Sequence, residues 1–86
     1  MKKPVVTELR LPNRPGFELV AMSAVASVAE LMHFSNERIV SLKAAVGEAW
    51  VNAMEHGDQI VVLISMGEES LEVSFSDVKS PIIALH

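Results

Sequence analysis

The sequence contains no cysteine, which excludes disulfides and thiolate-held metals and leaves the cytoplasm as the expected compartment. It also lacks a cationic stripe. Lys2, Lys3, Arg10, Arg14, Arg38, Lys43 and Lys79 are scattered along a chain of net charge −4, so nothing is placed to track a phosphate backbone and no nucleic-acid partner is expected. No apolar run suits a bilayer. Leu19 to Met32 contains Ser23, Ser27 and Glu30 and falls short of the roughly 20 residues that a spanning helix needs. Met1-Lys2-Lys3-Pro4 leads to Glu8, Arg10 and Arg14 rather than to an apolar signal core, so no secretion signal is expected. Repeats, linkers and low-complexity segments are missing as well.

What is present is a chain of 86 residues, enough for one small domain with a thin core and too little for two. Half of the residues are hydrophobic and the mean hydropathy is +0.34. A small domain this apolar is expected to expose surface that calls for a partner.

Val5 to Leu11 carries Val5, Thr7, Leu9 and Leu11 on one face and Val6, Glu8 and Arg10 on the other, the period-2 pattern of a half-buried strand. Pro12-Asn13-Arg14-Pro15-Gly16 ends it as a turn. Phe17 to about His33 predicts a helix with Phe17, Val20, Ala24, Val28 and Leu31 on one face. A second helix is expected from about Asn36 to His56, capped by Ser35 or Asn36, with Glu37 in its first turn and Gly57 as its stop. Ile60 to Met66 and Leu71 to Phe75 read as two strands joined by the hairpin connection Gly67-Glu68-Glu69-Ser70. The tail beyond Pro81 is apolar and is expected to dock. These elements predict an α+β two-layer sandwich, an antiparallel sheet covered on one face by two helices; strand order does not follow from the sequence.

The second helix is the informative one. At about 100° per residue, Glu37, Arg38, Ser41, Glu48, Asn52, Glu55 and His56 share one arc, and most other positions are apolar, which predicts burial on several sides. Glu48, Asn52 and His56 stand at successive i, i+4 positions and would stack along that arc. An ionised carboxylate accepts a proton, and an amide oxygen ligates a hard cation without adding charge. Together they suit hydroxyl activation beside a metal-bound phosphate. From spacing alone the simpler reading is the solvated face of a helix over a sheet, and His56 beside Gly57 is read as a helix-end residue rather than a base.

The literal string adds to the spacing. Glu48-Ala49-Trp50-Val51-Asn52-Ala53-Met54-Glu55-His56-Gly57 resembles the E-x-x-x-N-A-x-x-H-G N-box of the anti-sigma factor serine kinases, a branch of the GHKL, or Bergerat-fold, histidine kinase-like ATPases. The order strand, Pro/Gly turn, apolar helix, N-box helix and hairpin resembles the first half of that family's domain. The resemblance thus implies a single partial histidine kinase-like ATPase domain over residues 1–86. It implies that Glu48 is the general base for a substrate serine, that Asn52 holds Mg²⁺ on ATP, and that Asp77 contacts adenine. Sigma factors and anti-sigma antagonist proteins are the implied partners.

The family follows the hairpin with D-x-G-x-G, where this chain has Asp77-Val78-Lys79-Ser80-Pro81. Lys79 and Pro81 stand at the glycine positions and would hold the backbone away from a nucleotide. The family's Gly-rich lid and later strands come after the point where this sequence ends. Vestigial or weak Mg-ATP binding is therefore expected, and the alternative is a non-catalytic interaction module, with a homodimer or complementing partner covering the open sheet.

Overall fold

The period-2 and period-3.6 patterns resolve into β1 (Val5–Pro12), α1 (Phe17–Leu31), α2 (Asn36–Ala53), β2 (Gln59–Met66), β3 (Ser70–Phe75) and β4 (Ile82–Leu85) in a computed structural model that describes residues 3–76, 78 and 80–86. The sheet runs β1-β2-β3-β4 and every neighbouring pair is antiparallel. Each strand therefore lies beside its neighbour in chain order, with α1 and α2 inserted between β1 and β2. This is the α+β arrangement expected, with both helices packed on one face of the sheet.

Register explains which side chains form the core. Leu9 pairs with Val62 and Leu11 with Ile60, Val62 then faces Phe75 and Ile64 faces Val73, and Val73 meets Ile82. All of these point to the helix side, because directly paired residues share a face. Ile60, Val62, Ile64, Leu71 and Val73 are fully buried there. From α1 come Ala21, Val25 and Ala29, and from α2 Ile39, Leu42, Val46, Trp50 and Ala53. Trp50 is 1% exposed, and among the described residues its indole N–H finds no acceptor.

The structure corrects the expected face of α1. The buried row is Ala21, Val25 and Ala29, whereas Val20 is exposed and Leu31 is 72% exposed. This helix is apolar on most sides, so hydropathy does not single out a face. Packing selects the small i, i+4 row, which lets α1 lie close to α2 and the sheet. Gly47 of α2 is part of that approach: a Cβ there would meet Met22 Sδ at 3.5 Å.

The helix also ends earlier than His33. The Phe34 N–H donates to Ala29 O and the His33 N–H to Glu30 O, both at 3.0 Å, which is the bond pair of a Schellman stop with His33 at the left-handed position. His33 accordingly has φ 62°. Buried Phe34 and Ala29 supply the accompanying apolar contact.

Ser35 then caps α2, its hydroxyl accepting from the Arg38 N–H at 3.3 Å. The helix stops at Ala53, short of the expected His56. Burial on several sides is also not what the structure shows: Val40 and Val51 lie on the solvent side, Val51 63% exposed. The tail docks as β4 on β3, and the hairpin closes through the Gly67 N–H donating to Ser70 O at 2.8 Å.

Candidate functional site

The buried row of α2 dictates where its polar stripe lies. With Ile39, Leu42, Val46, Trp50 and Ala53 facing the core, Glu48 and Asn52 are turned roughly opposite, at about 100° per residue, and both are exposed. They stand one helical turn apart, which puts their Cβ atoms about 5–6 Å from each other. Among the described residues neither side chain makes a hydrogen bond within the chain, so the carboxylate and the amide are both free to meet a ligand. Trp50 and Ala53, the buried members of the same string, hold this turn against the sheet.

His56 does not join them. Because α2 ends at Ala53, the expected i, i+4 stack breaks after Asn52, and His56 sits in the following turn with its N–H on Ala53 O at 3.0 Å. Gly57 is left-handed at φ 83°, which suits a residue without Cβ as the chain turns toward β2. Asp77, the expected adenine contact, and Lys79 lie outside the described residues. Pro81 is exposed immediately before β4.

Asn13 was not singled out in the sequence, yet it anchors this end of the site. Its side-chain amide donates to Met54 O and Gly57 O, each at 2.8 Å, and its backbone N–H donates to Asp58 O at 2.9 Å. The turn after β1 thereby holds the chain directly after Asn52. The only local sign was an Asn between two prolines, which reads as turn chemistry.

A groove of about 540 Å³ runs beside the N-terminal half of α2 and is lined by Glu37, Arg38, Ser41, Leu42, Ala45 and β4. Glu48 and Asn52 lie further along the helix and do not line it. Among the described residues no cluster of three His, Asp or Glu side chains could hold a metal by itself. A cation at Asn52 would need phosphate oxygens to complete its shell. No helix among the described residues is long and apolar enough to cross a membrane.

The class defined by these features is an α+β two-layer domain that presents a carboxylate and an amide one turn apart on its second helix. Over 76 residues the chain is 33% identical to serine-protein kinase RsbW of Oceanobacillus iheyensis, covering 81% of this chain and 48% of that protein. Over 75 residues it is 33% identical to serine-protein kinase RsbW of Listeria innocua, covering 80% of this chain and 48% of that one. No protein-family model matches the chain. The chain spans about half the length of the curated relatives it matches, and over that half these matches support the serine-kinase resemblance of the Glu48–Gly57 string.

Proposed function

We propose that the chain is a regulatory domain of the anti-sigma factor serine kinase type, a partial Bergerat fold that binds Mg-ATP weakly. The observation that carries this reading is the free Glu48 and Asn52 pair, exposed on one face of α2, in a chain similar to two serine-protein kinases. The residues present fit the phosphate end of such a ligand. Asn52 Oδ1 is a neutral oxygen suited to Mg²⁺, and the Glu48 carboxylate is an acceptor within a turn of it. Bound Mg-ATP supplies the transferable phosphoryl group.

Asn52 would hold Mg²⁺ and with it the phosphate end, and Glu48 would accept the proton of a substrate serine hydroxyl; the phosphoryl group would come from bound ATP, with ADP as the leaving group. Asp77 is the residue assigned to adenine. An anti-sigma antagonist protein is the serine-bearing partner, a sigma factor is the regulated one, and the work is cytoplasmic. The exposed pair leaves water access to the phosphates, which weakens electrostatic stabilisation and keeps any phosphotransfer slow. The test is Mg-ATP binding and serine phosphotransfer by Glu48→Ala and Asn52→Ala; variants indistinguishable from the parent chain would sink the assignment.

A second reading is favoured by the groove's position. It lies away from Glu48 and Asn52, and Lys79 and Pro81 replace the two glycines. On this reading the chain is a non-catalytic interaction or dimerisation module derived from the same family.

A further inference from the structure

The end of α2 has little of its own to hold it. Ala53 and Ile60 are buried, but residues 54–59 between them are all exposed, so this stretch gains almost no apolar burial. The last turn of the helix carries no basic residue to compensate its carbonyl end. The Glu55 N–H reaches Asn52 O only at 3.4 Å, longer than an ordinary N–H···O bond. Helix ends with so few contacts fray at almost no cost in free energy.

Asn52 stands in that last turn, whereas Glu48 stands one turn further in, between buried Val46 and Trp50. The two members of the pair therefore differ in how firmly they are held. The difference bears on a metal ligand above all, because Mg²⁺ demands near-ideal octahedral geometry.

Asn13 supplies what the helix end lacks. Its backbone is fixed by the sheet: Pro12 pairs with Gln59 in the last rung between β1 and β2, and the Asn13 N–H donates to Asp58 O at 2.9 Å. From that fixed point its side-chain amide donates one hydrogen to Met54 O and the other to Gly57 O. Among the described residues these are the only side-chain hydrogen bonds made to residues 54–58.

We propose that Asn13 is a positioning residue for Asn52. It ties the last turn of α2 to the end of β1, and so sets the affinity for the metal-bound nucleotide without touching it. This role rests on the assignment of Mg²⁺ to Asn52 proposed above. With Asn13 present the turn stays closed and Asn52 Oδ1 is offered from a fixed place beside Glu48. Without it the turn opens, and the apparent affinity falls in proportion to the fraction of molecules still closed. ATP without metal loses little, because the weakened contact is the one to the cation.

The test compares the full chain with Asn13→Ala and Ser35→Ala, by amide hydrogen exchange and by titration with ATP in the presence and absence of Mg²⁺. Ser35→Ala removes the cap at the opposite end of α2, a loss of similar size for stability, and so controls for destabilisation alone. The Met54 and His56 N–H groups, bonded to Trp50 O and Ala53 O, are expected to exchange about tenfold faster in Asn13→Ala than in Ser35→Ala. Mg-ATP binding is expected to weaken about tenfold in Asn13→Ala, with metal-free ATP binding little changed and Ser35→Ala like the parent. Equal exchange of those two amides in both variants would overturn the proposal, whatever the nucleotide does. So would Mg-ATP affinity that Asn13→Ala leaves intact, or a loss that is the same with and without Mg²⁺. A parent chain that binds no Mg-ATP while Asn13→Ala still frees the two amides contradicts the assignment of Mg²⁺ to Asn52, and the positioning role falls with it.

Discussion

The Asn13 side-chain amide donates to both Met54 O and Gly57 O at 2.8 Å, linking the turn after β1 to the end of the helix that carries Asn52. Carbonyls at a helix C-terminus lack intrahelical partners, and one amide group with two hydrogens satisfies two of the chain's carbonyls here. The contact thus ties down the turn in which the helix ends before His56.

Loss of those donors should be measurable. Asn13→Ala and the near-isosteric Asn13→Asp, whose ionised side chain has no donor, are expected to lower stability by about 1–2 kcal/mol. Urea unfolding would show this as a lower midpoint at unchanged slope. Unchanged midpoints in both variants would show that the clamp contributes nothing.

His33 holds a left-handed conformation at φ 62° with its side chain exposed. An L-residue there is strained by about 1–2 kcal/mol, partly offset in glycine by greater freedom of the unfolded chain. His33→Gly should therefore raise stability, by about 0.5–1 kcal/mol, in thermal or urea unfolding. A loss of stability would mean that the imidazole contributes more than its exposure indicates.

Gly47 sits inside α2, where a Cβ would meet Met22 Sδ and Cε at 3.5 and 3.6 Å, ordinary contact distances. Gly47→Ala should stabilise the fold by about 0.5–1 kcal/mol through helix propensity while leaving Glu48 and Asn52 in place. Denaturation compared with the parent chain checks the first point, and unchanged nucleotide affinity checks the second.

Local patterns revealed much of this architecture. The strand at Val5–Leu11 and the hairpin after Met66 act within a few residues and appear where the sequence puts them, although Ser70 already belongs to β3; of the two cap candidates, Ser35 and Asn36, Ser35 is the cap. Non-local choices did not show. The buried row of α1 depends on how closely α2 and the sheet approach, and the turn after α2 is bonded to Asn13, some forty residues earlier in the chain. The partner of the apolar tail, β3, required the sheet itself. Within the site, Glu48 and Asn52 were readable because one helical turn relates them, whereas His56 was misplaced because the helix stops first.

The most direct test of the account is isothermal titration of the purified chain with ATP and Mg²⁺, repeated on Asn52→Ala. The account predicts weak, saturable binding that Asn52→Ala abolishes. No saturable binding up to about 1 mM ATP, a ceiling above about −4 kcal/mol of affinity, or binding untouched by Asn52→Ala, would contradict it.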